Sequence, residues 1–281
     1  MTIDTLPTEM FDHYGQFDES TRLVAGSGEL ELVRTHDILT RYLPSAPATL
    51  LDVGGATGVH ALWLARAGYQ VHLIDPIPHH VEQARTASYA QAQYPIASCM
   101  VGDARQLEQA DQSADAVLLL GPLYHLTDRT DRLKALREAH RVLRPGARVF
   151  AAVISRFASL LDGLSGNRLA DPLFVEILKQ DLQDGQHRNP TKNPEYFTTT
   201  FFHHPEEVAS EMREADFHVE RVIGIEGPVW LMGTFPSLWN DPDRRRLLLD
   251  LLRAIEEDAS ILGASAHVMA VGRRDHRVKS R

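Results

Sequence analysis

From residue 29 to residue 154 the chain alternates between two hydrophobic periods. Short, nearly continuous apolar runs stand at residues 50–53, 70–75, 97–101, 115–120 and 148–154. Between them, apolar residues recur in a three-four pattern, as in Leu30, Val33, Ile38, Leu39 and Tyr42, or Leu133, Leu136, Ala139 and Leu143. The runs predict strands buried on both faces, and the three-four pattern predicts amphipathic helices that cover them. Strand and helix in strict alternation predict a parallel sheet with helices on both sides, a doubly wound α/β fold.

The rhythm breaks at residues 155–204, a segment too long for a plain connection. It holds a helical pattern at 171–180, a polar stretch with Gly185, Asn189, Pro190 and Pro194, and an aromatic cluster. Tyr196, Phe197, Phe201 and Phe202 either form the core of a cap or touch a substrate. The adjacent His203 and His204 lack a third ligand at metal spacing, so no metal site is expected. The alternation returns with a helix at 205–215, a strand at 219–225, a helix at 247–261 and a last strand at 267–272. The tight link before that last strand predicts an antiparallel insertion at the sheet edge. The loop from Glu226 to Trp230 is another strand end that reaches the crevice. The expected organisation is a helical lid (1–45), a nucleotide-binding core (46–154), a cap (155–204) and the rest of the core (205–281).

Composition narrows the class. Apolar residues make up 43% of 281 and charged residues 24%, ordinary for a globular chain. No run of eighteen apolar residues occurs, and the first residues carry acids rather than a basic then apolar leader. These features exclude a helical membrane span and lead to the expectation of a cytoplasmic protein. The single Cys99 lies in an apolar run and reads as a small buried hydrophobe. A net charge of −9 speaks against a nucleic-acid surface, leaving a small molecule as the expected partner.

Candidate chemistry gathers at predicted strand ends, where open α/β sheets bind ligands. Asp52-Val53-Gly54-Gly55-Ala56-Thr57-Gly58 closes the first strand. Its Gly54-x-x-x-Gly58 spacing is not the G-x-G-x-x-G of a pyrophosphate turn, which favours a phosphate-free nucleoside. Asp75 ends the second strand, placed to accept both hydroxyls of a ribose. Asp103 follows the third, either facing an adenine amino group or capping a turn. The fourth strand runs into Gly121-Pro122-Leu123-Tyr124-His125, whose His125 is a candidate general base or a structural histidine. Arg34 points along the apolar face of its helix and needs a partner, either a carboxylate in the fold or one on a ligand.

In this order and spacing the motifs resemble those of class I S-adenosylmethionine-dependent methyltransferases. The likeness is strong over residues 30–154 and looser over 205–272. The first motif is similar to D-x-G-x-G-x-G, with Ala56 where the second glycine often stands. Asp75-Pro76-Ile77-Pro78, Gly224-Ile225-Glu226-Gly227-Pro228 and Leu262-Gly263-Ala264-Ser265-Ala266-His267 further resemble a group of actinobacterial methyltransferase-domain proteins whose substrates are mostly unassigned. The resemblance implies a Rossmann-like core that binds S-adenosylmethionine. It implies that Asp52, Gly54, Gly55, Ala56 and Gly58 face the amino-acid end of that cofactor. Asp75 with Pro76 would hold the ribose, and Asp103 with Ala104 the adenine. Gly121 to His125 would lie beside the methyl group, Tyr14 would reach it from the lid, and Arg34 would pair with the methionine carboxylate. A base, first His125 and then Tyr14 or Tyr124, is needed only for a hydroxyl or protonated amine acceptor. Three alternatives stay open: aminocarboxypropyl transfer or cyclisation with the same cofactor, a nicotinamide-dependent oxidoreductase, and a non-catalytic binding protein of this fold.

Overall fold

The computed structural model describes residues 9, 22–23, 26–191 and 193–275. In chain order the core contains α1 (Ser27–Tyr42), β1 (Thr49–Val53), α2 (Val59–Arg66), β2 (Gln70–Asp75), α3 (Pro78–Ala90), β3 (Ser98–Val101) and β4 (Ala114–Leu119). It continues through α4 (Pro122–His125), α5 (Arg129–Val142) and β5 (Leu143–Ile154). The segment beyond folds as α6 (Ala158–Ser165), α7 (Pro172–Asp184) and the short strands β6 (Gln186–His187) and β7 (Thr200–Phe201). Then come α8 (Pro205–Glu214), β8 (Phe217–Gly224), α9 (Phe235–Trp239), α10 (Pro242–Ile255) and β9 (His267–Arg274).

Side chains alternate across the sheet with period two, and this parity sorts the strands between two cores. Val117 and Leu119 of β4 pack with Val149 and Ala151 of β5 under α5 and α8. Ala116 and Leu118 pack with Phe150 on the other face, under Leu39, Leu64 and Val81. Helix starts are set by local chemistry: Asp128, Asp171 and Asp241 each accept a backbone N–H of the first turn. Proline occupies the first turn of α3, α7, α8 and α10, where its missing N–H costs nothing.

The seven-stranded sheet runs β3-β2-β1-β4-β5-β9-β8. β1 to β5 are mutually parallel, and β9 is antiparallel to both β5 and β8. The last strand is therefore antiparallel, as expected, but it lies one strand in from the edge. β8 takes the edge. The order reverses between β1 and β4, so the crevice opens at their carboxyl ends.

The segment 155–204 is tied to the rest of the fold through its aromatics. Phe201 lies 3.8 Å from the Arg132 guanidinium, which also grips Glu211 at 2.8 Å. Arg156 Nε donates to the Phe202 carbonyl at 2.7 Å. Phe202 is buried with Tyr124, Ile154 and Ala158, so it packs as core against the end of β5 and the strand-four loop. His203 is buried beside Glu211, and His204 caps α8. Among the described residues, no helix is long and apolar enough to cross a membrane.

Candidate active site

The first turn is built by backbone that only small residues adopt. Gly54 and Gly58 have φ of +73° and +87°. Gly54 N donates to Ile74 O at 2.7 Å, and a Cβ on Gly54 would stand 2.7 Å from the Pro122 ring. The turn is thereby wedged between β2 and the start of α4. Ala56 holds φ +45°, the left-handed region that costs a side-chain-bearing residue about 1 kcal/mol or more.

A cavity opens over this turn. Gly54, Gly55, Ala56 and Thr57 form its floor, with Asp75, Pro76 and Ile77 on one side and Gly121, Tyr124 and His125 on the other. The structure thus brings together Asp52, Gly54, Gly55, Ala56, Asp75, Pro76, Asp103, Ala104, Gly121, Tyr124 and His125 as lining of one cavity. Gly58 serves behind it as the left-handed residue that starts α2. Tyr14 lies outside the described residues.

The two strand-end acids differ in their surroundings. Asp75 is buried and locked: its Oδ2 accepts from Ala56 N and its Oδ1 from Ile77 N, both at 2.9 Å. His80 Nδ1 stands 3.3 Å from the same Oδ1. Asp52 is buried with an Oδ2 that has no hydrogen-bond partner among the described residues. Burial, and then the charge of Asp75, push its carboxyl up to about 7.

Two expected residues make other contacts. Arg34 does not line the cavity. Its guanidinium is 1% exposed and donates to Ile225 O at 3.0 Å, to Asp37 at 2.9 Å and to Glu256. Its partner is a carboxylate of the fold, which replaces the expected ligand carboxylate. Asp103 lines the cavity, but its carboxylate is taken by Arg105, which donates from its backbone at 2.8 Å and its guanidinium at 2.6 Å. The turn-capping alternative describes that contact.

Sequence reasoning missed the opposite wall. Arg22, Glu31, His60 and His267 also line the cavity. Arg22 pairs with Glu31 at 2.6 Å, and His267 Nδ1 lies 2.6 Å from Glu226. His60 contacts His36 at 3.3 Å, and His36 stacks on Trp63. Burial, reinforced by the neighbouring His60 and Arg66, drives His36 down to about 3. Burial likewise takes His60 down to about 4, so both rings are neutral near pH 7. The signal available was the pair of motifs at 224–228 and 262–267, whose residues meet only after β9 inserts beside β8.

Known proteins share this framework. A family described as a methyltransferase domain matches residues 51–151. Methyltransferase GfsG of Streptomyces halstedii is 32% identical over 145 residues, 50% of each chain. A ubiquinone biosynthesis O-methyltransferase of Xanthomonas oryzae is 29% identical over 201 residues, 69% of this chain and 72% of that protein. The matches span half or less of the length of the first curated relatives. In three dimensions the PH0226 protein of Pyrococcus horikoshii shares the fold with a TM-score of 0.59 at 16% identity, over 94% of this chain and 99% of that one. The matched region spans the first strand, the glycine turn, Asp75 and the strand-four loop that the cavity joins, so residues 51–151 of this chain match a methyltransferase domain.

Proposed function

We propose that this protein transfers the methyl group of S-adenosylmethionine to a small-molecule acceptor. The observation that carries the reading is one cavity that joins the Gly54–Thr57 turn and Asp75 to the strand-four loop. The residues present suit the cofactor. Asp52 offers a buried carboxylate oxygen without a protein partner, complementary to the ammonium of an amino acid. Asp75, fixed by two backbone donors, keeps lone pairs for ribose hydroxyls. Pro76, Ala104 and the Asp103 backbone would flank the adenine. A net charge of −9 and the enclosed, partly apolar lining favour a small molecule over nucleic acid.

The bound cofactor supplies an already activated methyl on a sulfonium. The chain's share is therefore positioning, which in favourable cases supplies roughly 7–11 kcal/mol of barrier lowering. Gly121, Tyr124 and His125 would hold the acceptor against the methyl in line with the sulfur. Phe202, packed on Tyr124, would hold that side chain in place. Titration with S-adenosylhomocysteine tests the reading, and absence of binding up to millimolar concentration sinks it. Incubation with S-adenosylmethionine alone separates the chemistries, since methylthioadenosine formed without an acceptor counts against methyl transfer.

A further inference from the structure

The wall opposite the glycine turn holds a carboxylate-oriented imidazole. His267 begins β9 and pairs in register with Ile154 at the carboxyl end of β5. It therefore stands across β4 from the strands that carry Asp75 and Asp103. Its Nδ1 donates to Glu226 Oε1 at 2.6 Å. Glu226 cannot swing away, because its Oε2 accepts from His267 N at 2.9 Å and from Ser265 Oγ at 2.8 Å. Ser265 Oγ in turn accepts the backbone N–H groups of Glu226 and Gly227. Glu226 and Ser265 are both buried.

A carboxylate that holds Nδ1–H fixes the ring and turns Nε2 to the other side, the arrangement by which proteins aim an imidazole at a reacting group. Nε2 of His267 has no hydrogen bond to a described residue and is not sealed from solvent, and the ring keeps 19% of its surface. The cavity lining beside it is apolar, with Ile225, Ala152 and Met269. The remaining charges nearby are mutually paired. Glu31 lies 3.8 Å from Nδ1 but is held by Arg22, and His60 is neutral.

We propose that His267, positioned by Glu226, binds the acceptor, and that the acceptor is an acidic hydroxyl, a phenol or enol, held through its oxygen by Nε2–H. This rests on the methyl-transfer reading above. Burial works against a charged ring, but the carboxylates of Glu31 and Glu226 outweigh it and hold His267 up to about 9. An imidazolium donor selects among acceptors. It repels a protonated amine, and it stabilises the oxyanion of a phenol or enol far more readily than that of an aliphatic alcohol. On binding, the hydroxyl proton passes to solvent and the ring keeps both of its own. An oxygen lone pair then forms the new C–O bond, the electrons of the broken C–S bond stay on sulfur, and no proton moves in that step.

Donor atoms of Glu31, Glu226 and His267 also lie within 4.8 Å of one another, a spacing that suits a metal ion. A cation there would have to displace both the Arg22 guanidinium and the Nδ1 proton, so the hydrogen-bonded reading prevails.

The test uses the full protein saturated with S-adenosylhomocysteine and titrated with 4-nitrophenol, whose phenolate is yellow. The expected result is a bound phenolate at a pH where the free phenol is largely protonated, with affinity falling at least about tenfold in His267→Gln. In Glu226→Gln the ring loses one of its two carboxylates, and the bound phenolate gives way to the neutral phenol at neutral pH. Both variants keep the wild-type affinity for S-adenosylhomocysteine. If either fails to fold, the 15N imidazole signals of the wild-type protein serve, and the His267 Nε2 resonance shifts when 4-nitrophenol is added. Phenol binding that is absent, always neutral or unchanged in His267→Gln overturns the proposal. A wild-type protein that does not bind S-adenosylhomocysteine overturns the methyl-transfer reading instead.

Discussion

The backbone N–H of Ala56 donates to Oδ2 of Asp75 at 2.9 Å, joining the first turn directly to the end of the second strand. One carboxylate thus shapes the turn and faces the cavity that the turn floors. Asp75→Asn puts an amide NH₂ against one of two backbone donors and removes the charge. The variant is expected to lose about 1–3 kcal/mol of stability and about tenfold or more in S-adenosylhomocysteine affinity. Thermal melts and calorimetric titration read the two separately. Lower stability with unchanged affinity would leave Asp75 a purely structural role.

Asp52 titrates in a range where most carboxylates are fully ionised. Burial and Asp75 raise it from the ordinary 3.8 to about 7. The folded state therefore holds this proton more tightly than the unfolded chain, and stability falls as pH rises from about 4 through 7. Asp52→Asn removes that loss and is expected to stabilise the free protein by roughly 2 kcal/mol at pH 8, with little change at pH 4. The affinity for S-adenosylhomocysteine should rise with pH through about 7 in the wild type and stay flat in the variant. A wild-type affinity independent of pH would separate Asp52 from the ligand's ammonium.

Arg34 joins α1 to Glu256 and the Ile225 carbonyl rather than to the cavity. Arg34→Met leaves the buried Glu256 with Arg41 as its remaining cation, which contacts it at 2.5 Å. The expected cost is about 3–5 kcal/mol of stability. Measured in the folded variant at low temperature, S-adenosylhomocysteine affinity should stay within about twofold, well under 1 kcal/mol. A tenfold loss there would restore the ligand-carboxylate role.

Ala56 occupies a left-handed backbone position at φ +45°. Glycine meets no steric penalty there, whereas a β-branched residue meets the full one. Ala56→Gly is expected to keep stability within about 1 kcal/mol and to retain ligand binding. Ala56→Val is expected to cost about 1–3 kcal/mol and to weaken binding. Equal behaviour of the two variants in melts would show that the turn relaxes freely.

Most of the fold was legible because hydrophobic period is a local property. Residues 115–120 could only be a strand buried on both faces, and β4 is that strand, feeding alternate residues to two cores. The parallel order and the glycine spacing also put Asp52, Asp75, Asp103 and Tyr124 at carboxyl ends before any coordinate was known. Arg34 shows the limit. Its place on an apolar face announced a buried partner, but the partner Glu256 is 222 residues away and no local rule names it.

The chain by itself determined strands, helices, the crevice edge and the cavity residues from Asp52 to His125, since each follows from neighbours within a few turns of backbone. Tertiary structure alone decided the other half. Glu31, Glu226 and His267 converge because β9 inserts antiparallel between β5 and β8 while Ile38 and Leu39 of α1 pack on one face of the sheet. Sheet order is set by the packing of whole layers, and so a wall assembled from three distant segments cannot be read from any one of them.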